Sequence, residues 1–221
     1  MNPKTRIAFI ADLINDAQNV VDVGSDHAYL AKILLVNNKA QHVTNIEVNQ
    51  GPLENGINNL TKNNLLKRTT NILNDGFKGL ILEQTFDYCV IAGMGATSII
   101  EILKQNKNQI KNYILQPNTQ SYKIRKYLNN HSYQIKVEHI FVEKKIFYEI
   151  IICSKTINVP KLIEKDYYIS SQMHKDSLNL YFKFLKRRYE YLKALDISLV
   201  SENIVKEYEY IKEFINEKNG Y

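Results

Sequence analysis

The amino-acid sequence predicts an α/β fold: a mostly parallel seven-stranded sheet with one antiparallel strand, followed by an antiparallel two-helix coiled coil. Three observations predict it. Apolar, β-branched runs at residues 20–23, 42–48, 69–73, 86–92 and 113–116 alternate with helical patterns, the arrangement that generates βαβ units and a parallel sheet. Two further strand-like runs, 133–142 and 146–153, are separated by a gap short enough for a hairpin, which sets one strand against the direction of the others. After residue 155 strand signals fade and apolar residues recur at four-three spacing, the pattern of a helical seam.

Each element has its own local reason. Ile7, Ile10, Leu13, Ile14 and Ala17 mark an N-terminal helical pattern ahead of the strand at 20–23, which stops at Gly24. A helix follows over about 27–37, then the strand at 42–48 and a helix over 53–66, with Pro52 near its start where a missing N–H does no harm. The strand at 69–73 ends in Asn74-Asp75-Gly76. Residues 86–92 form an apolar run interrupted only by Asp87, as expected of a central strand buried on both faces. Gly93-Met94-Gly95 then leads into a helix through Leu103. Pro117 stops the strand at 113–116, and a helix over 122–130 leads to the hairpin. Pro160 marks a boundary, so the chain divides into an α/β domain, 1–155, and a helical domain, 156–221. In the latter, Leu178, Phe182, Leu185, Tyr189 and Leu192 form one seam, and Ile197, Val200, Ile204, Tyr208, Ile211 and Ile215 a second, with a turn near 196–201 between them.

Charge is distributed unevenly. Of the 29 basic and 23 acidic residues, eight basic and three acidic ones fall in residues 111–155, so that segment holds five of the six surplus positive charges. A phosphate-binding surface is expected there, on Lys123, Arg125, Lys126, Lys144 and Lys145. Cys89 and Cys153 sit in apolar runs and read as buried structural cysteines. The histidines lack metal-ligand spacing, so no metal is expected. There is no leader-like start and no run long enough to span a bilayer, which points to a cytoplasmic protein without a membrane partner.

In an alternating α/β sheet, ligands bind beyond the carboxyl ends of the parallel strands. Polar and small residues collect at those ends here. Asp22, Gly24, Asp26 and His27 follow the first strand, and Glu47, Val48 and Asn49 the second. Asp75 and Gly76 follow the third, Ala92, Gly93 and Met94 the fourth, Gln116 and Pro117 the fifth. The first turn is not the dinucleotide pattern G-x-G-x-x-G, because Ser25-Asp26-His27 fills the place of further glycines. Two acids, Asp22 and Asp26, would repel a pyrophosphate and welcome a cation with an amino group. S-adenosylmethionine, a sulfonium bearing an α-amine, fits that description better than NAD. Glu47 is placed for ribose hydroxyls and Asp75 for an adenine amino group. The topology is that of the class I, Rossmann-like methyltransferases, whose last strand inserts antiparallel.

Six segments, VVDVGSDHAYLA, IEVNQGPLENG, LNDGFKGL, CVIAGMGA, LQPN and KIFYEI, together resemble the bacterial tRNA methyltransferases that modify N1 of adenine 22. The resemblance covers residues 1–155 through motifs, and the helical tail matches that family's C-terminal coiled coil in kind. One departure is visible: the family usually reads GMGG, and Ala96 stands in place of the last glycine. The resemblance implies a tRNA substrate and the adenine position; a monomer is expected separately. The resemblance also makes Asp26 a candidate to stabilise the cation left by methylation, Asn118 to hold the adenine edge and Tyr29 to stack on the base. Each keeps a plainer role: Asp26 as ligand of the cofactor amine or as helix cap, Asn118 as a turn residue, Tyr29 as a helix-face residue. The residues alone reach an adenosyl-cofactor enzyme with a basic face. A methyltransferase for another RNA or a small molecule, and a catalytically silent cofactor-binding RNA chaperone, remain open at this level.

Overall fold

The computed structural model describes residues 5–219, with the side chains of Ile197 and Asn219 outside the description. In chain order the elements are α1 (Arg6–Asp12), β1 (Ala17–Val23), α2 (Tyr29–Val36), β2 (Ala40–Glu47), α3 (Gln50–Lys62), β3 (Thr69–Leu73), β4 (Phe86–Met94) and α4 (Ala96–Gln105). They continue with β5 (Ile110–Pro117), α5 (Ser121–Asn130), β6 (Tyr133–Glu143), β7 (Ile146–Lys155), α6 (Glu164–Tyr168), α7 (Leu178–Lys193) and α8 (Glu202–Asn219).

The seven strands run in the order β3-β2-β1-β4-β5-β7-β6, with β7 antiparallel to both its neighbours and every other pairing parallel. Strand order reverses between β1 and β4, a topological switch point where the strand ends leave a crevice. Alternation along the strands feeds two apolar layers. Val20, Val43, Val90 and Ile114 pack with Ile10, Leu30 and Leu34 of α1 and α2. Val21, Cys89, Ile91 and Leu115 pack with Ile99, Leu103, Ile124 and Leu128 of α4 and α5. Burial on both faces is why residues 86–92 carry no polar alternation.

Three strands, β1, β2 and β5, begin two or three residues before their apolar runs. Asp87 Oδ2 accepts hydrogen bonds from Gln18 and Asn19 backbone N–H groups at 2.7 and 3.1 Å, and Ala17 N–H donates to Lys39 O. Those contacts extend β1 back to Ala17, which therefore belongs to the strand and not to the N-terminal helix. That helix ends at Asp12, and the chain turns through Asp16 at φ +49°.

The helical pair forms, but its seam is broader than the heptad pattern predicts. Leu178 is 52% exposed, whereas Tyr181, Leu185, Leu192, Ile211 and Ile215 are buried in one cluster with Ile140 of β6 and Ile169. Phe147 of β7 and Phe184 of α7 pack against the same cluster. The pair thus buries a face against the β6–β7 hairpin as well as its own seam, and a strict two-residue heptad stripe serves only the latter.

Arg125 corrects the sequence reading most clearly. It is 2% exposed, and so cannot offer its charge to RNA. Its Nε donates to both Glu138 carboxylate oxygens at 3.0 Å, Nη2 donates to Glu138 and Glu149, and Nη1 donates to Tyr167 O at 3.0 Å. Ser170 Oγ donates to Glu138 at 2.7 Å, and Ser121 Oγ to Glu149 at 2.5 Å. Burial opposes the guanidinium's charge, but the two carboxylates outweigh it and hold its pKa well above the ordinary value. One side chain on α5 therefore ties β6, β7 and the chain entering the helical pair. Removing one member of such a group leaves a buried, uncompensated charge at a cost of about 3–5 kcal/mol. Arg125→Met should lower unfolding free energy by about that much in urea titration, while Lys126→Met, one residue on and exposed, should change it by less than about 0.5 kcal/mol. Equal stabilities for the two variants would contradict this assignment.

Candidate functional site

The site is assembled where five parallel strands end. Gly24 follows β1 at φ +76°, in the left-handed region that side chains disfavour, and a Cβ there would collide with Met94 Cε. Gly93 interrupts the end of β4 at φ +80°, and the register of β4 on β5 shifts between Ala92 and Met94. These two turns bring backbone from the switch-point strands to the lip of the crevice. Gly76 also has positive φ, but a Cβ on it would meet Gln105 Oε1 at 2.9 Å and Ile102 Cγ1 at 3.0 Å. Its constraint is packing against α4, and Asp75 beside it is exposed.

Glu47 closes β2 with its carboxylate fixed. Oε1 accepts from the backbone N–H groups of Val48 and Asn49 at 3.0 Å each, and Oε2 accepts from Asp26 N–H at 3.2 Å. The acid thereby holds the first-strand loop against the second-strand end. Asn49 is the extended N-cap residue of α3, and Val48 stands 56% exposed. Asp22, one strand over, is buried, and its pKa is pushed up to about 7 by burial and then by the charge of Glu47. No cation offsets either effect. A buried acid beside a second acid, at the mouth of a crevice, suits a ligand that brings its own positive charge.

Asp26, His27 and Tyr29 lie together on the exposed loop and first turn above this crevice. His27 Nε2 is 3.5 Å from Asp26 Oδ1, and the His27 and Tyr29 rings are 5.5 Å apart. Asp26 does not cap α2, whose N-cap is Ala28 without a side-chain bond. Tyr29 is 55% exposed, so its ring is not a core side chain.

At the β4 and β5 ends the arrangement differs from the sequence expectation. Gln116 is fully buried, and its Oε1 accepts from Gly93 N–H at 3.1 Å while Nε2 donates to Pro117 O at 2.8 Å. Gln116 is a brace between the two strand ends and leaves no face for a ligand; Pro117 is buried next to it. Asn118 is exposed and oriented: Nδ2 donates to Gly93 O at 2.7 Å, Oδ1 accepts from Gln116 Nε2 at 3.2 Å, and its backbone N–H donates to Met94 O at 2.8 Å. Sequence reading missed Arg6. Its guanidinium donates to Gln116 Oε1 and, at 3.5 Å, to Asn118 Oδ1, and lies 4.9 Å from the centroid of the Tyr148 ring. Arg6 opens a short amphipathic helix, and no local motif shows that α1 ends beside β5.

Of the basic candidates, Lys126, Lys144 and Lys145 are exposed and Lys123 half-buried. Lys144 and Lys145 form the hairpin turn, both with positive φ. Ala96 begins α4 with its side chain 1% exposed in the core, so the departure from GMGG fills a pocket where a methyl group fits. Both cysteines are buried and free, and burial pushes both thiols up. Among the described residues no His, Cys, Asp and Glu group has the arrangement of a metal site, and no helix is long and apolar enough to cross a membrane.

The fold and site have relatives. A family model described as tRNA (adenine(22)-N(1))-methyltransferase matches residues 20–221. The chain is 31% identical over 150 residues to the Bacillus subtilis (strain 168) tRNA (adenine(22)-N(1))-methyltransferase, covering 66% of this chain and 63% of that one. It superposes on M. capricolum TrmK in complex with S-adenosyl-homocysteine with a TM-score of 0.82 at 30% identity, over 100% of this chain and 98% of that chain. For Streptococcus pneumoniae Sp1610 in complex with S-adenosyl-L-methionine the TM-score is 0.80 at 27% identity, over 94% of this chain and 97% of that chain. The class I, Rossmann-like methyltransferase architecture expected from the sequence is the one observed.

The two glycine environments give a paired test. Gly24→Ala forces a side chain into the left-handed region and onto Met94, at a cost of about 1–2 kcal/mol. Gly51→Ala, outside the left-handed region and with nothing but its chain neighbours within 4 Å of the added Cβ, should change stability by less than about 1 kcal/mol, since the entropy gain is opposed by contact with the following Pro52 ring. Chemical denaturation of both variants checks the pair; a neutral Gly24→Ala would contradict the strained-turn assignment.

Proposed function

Starting from the fact that this chain belongs to the tRNA (adenine(22)-N(1))-methyltransferase family, we propose how its residues divide the transfer of a methyl group from S-adenosyl-L-methionine to N1 of adenine 22. The single observation that supports the division most is the acidic crevice at the switch point, with Asp22 buried and its pKa raised to about 7. When bound, the cofactor supplies the methyl group as a sulfonium that needs no activation by the protein.

Asp22 faces the cofactor's α-amine, and Glu47, already fixed by three backbone amides, accepts from the ribose hydroxyls. Gly24, Ala92, Gly93 and Met94 line the crevice with backbone, Val48 and Asn49 flank the ribose, and Asp75 accepts from the adenine amine with Gly76 shaping its turn. His27 lies near the cofactor carboxylate. Gln116 and Pro117 act indirectly, by holding the β4 and β5 ends in register.

The acceptor side needs orientation more than chemistry, because adenine N1 already carries a lone pair. Asn118 keeps one amide hydrogen beyond its structural bonds for the adenine edge, its Oδ1 being taken up by Gln116 and Arg6. Tyr29 stacks on the base from the cofactor loop. Asp26, exposed beside it, faces the positive charge that methylation leaves on the ring. Lys123, Lys126, Lys144 and Lys145 contact RNA phosphates; Arg125 does not. Residues 1–155 carry cofactor and chemistry, residues 156–221 aid RNA binding, and one chain acts as a monomer in the cytoplasm.

Two outcomes test this. Labelled S-adenosyl-L-methionine should mark unmodified tRNA transcripts with adenine at position 22 and not those with guanine there, yielding N1-methyladenosine on digestion; equal labelling would contradict the acceptor assignment. A ligand amine beside Asp22 favours its ionised form, so binding below pH 7 must expel the carboxyl proton. Cofactor affinity should therefore rise from about pH 5 to about pH 7 and level off above, and Asp22→Asn should flatten the profile. Calorimetry at pH 6 in buffers of different ionisation heat reads the released proton directly, and none released would remove Asp22 from the amine site.

A further inference from the structure

A cavity of about 530 Å³ lies between the α/β core and the helical pair. It opens at Pro117 and Asn118, passes Thr119 to Tyr122, and ends against Arg188, Asn203 and Glu207 of α7 and α8. No residue of the cofactor crevice at the β1 to β4 ends lines it; only Pro117 and Asn118 are common to the two sites. Its volume suits a group of nucleoside size.

The lining is aromatic and uncharged in balance. Tyr122 and Tyr168 stack with centroids 5.2 Å apart at 13°, and Phe147 and Phe184 line the same space. Tyr168 OH donates to Asn203 Oδ1 at 3.0 Å, which leaves the Asn203 amide N–H groups for another partner. The charged side chains are already matched: Arg188 makes two 2.8 Å bonds to Glu207, and Arg125 is held by Glu138 and Glu149. A phosphate would find no free cation inside, whereas a neutral planar base would find ring faces and amide groups. Lys123 and Lys126, on the outer side of α5, suit the phosphates of the strand that carries such a base.

We propose that this cavity takes a second unstacked nucleobase of the tRNA, the immediate neighbour of the methylated adenine. The inference rests on the tRNA reading above. An enzyme acting on a base edge must take that base out of its stack, and the neighbour then loses a stacking partner. The methylated base itself must lie beside the cofactor crevice near Gly93 and Asn118, so the base against Tyr168 and Asn203 is a different one. Aromatic platforms of this kind hold unstacked bases whatever their identity.

The test uses full-length tRNA carrying 2-aminopurine at position 21, 22 or 23, bound to the enzyme in the presence of S-adenosylhomocysteine. Fluorescence at 21 or 23 should change on binding, and the change should be lost in Tyr122→Ala and in Asn203→Leu but kept in Tyr122→Phe. The two disruptive variants should lose about tenfold or more in kcat/KM for tRNA with unchanged S-adenosylhomocysteine affinity, which also shows that they fold. Signals at 21 and 23 that ignore both variants would overturn the proposal. So would a response confined to position 22, which would make the cavity the target-base pocket. Failure of the wild-type enzyme to methylate adenine 22 would instead overturn the tRNA reading, and is seen before any variant is made.

Discussion

The buried ion group around Arg125 is the constraint on which the two halves of this molecule depend. The sheet would form without it, since its strands are joined by backbone bonds and two apolar layers. The chain entering the helical pair has only a single bridge to the sheet, where Glu138 N–H donates to Gln172 O at 2.9 Å and His174 N–H donates to Glu138 O at 2.8 Å. The pair is attached through the cluster of Ile140, Ile169, Tyr181 and Ile211 and through a guanidinium that reaches Glu138 on β6, Glu149 on β7 and the carbonyl of Tyr167. Apolar contact is tolerant of sliding, whereas a desolvated guanidinium with directional partners is not. The group therefore sets where α7 and α8 sit over the end of β5, and so creates the cavity beside Asn118.

A second constraint governs the crevice. Gly24 and Gly93, both with positive φ, open the strand ends at the switch point, and Glu47 closes the loop over them by accepting from Asp26 N–H. The same carboxylate raises the pKa of Asp22. Burial and the charge of Glu47 disfavour the ionised form of Asp22, and a neighbouring cation favours it. Arg6, Gln116 and Asn118 form a separate hydrogen-bonded polar set at the β4 and β5 ends.

How much of this was legible depended on whether the relevant physics was local. Glu47 after an apolar strand, Gly24 before a helix and Gly93 between small residues each announce themselves within a few residues, and the structure puts them at one crevice. The β7 inversion was legible because a short hairpin gap leaves no alternative. Arg125 was misread because a basic residue in a basic segment looks solvated; its partners Glu138 and Glu149 lie on two different strands, and no short-range pattern joins them. Gln116 looked like a ligand-facing strand end because register alone does not tell which way an amide turns. Arg6 and the cavity arise from contacts between distant parts of the chain, Arg6 with Gln116 across 110 residues and the β5 end with α7 and α8. The helical seam was right in kind and wrong at Leu178, since the second face, against the hairpin, has its own demands.

The most direct test of the account is methyl transfer to tRNA by Arg125→Met at saturating S-adenosyl-L-methionine, measured at a temperature where the variant is folded and with cofactor affinity determined on the same sample. If the ion group exists to place the helical pair beside the acceptor site, cofactor affinity should be preserved while kcat/KM for tRNA collapses. Unchanged tRNA kinetics, or a parallel loss of cofactor affinity, would contradict that claim.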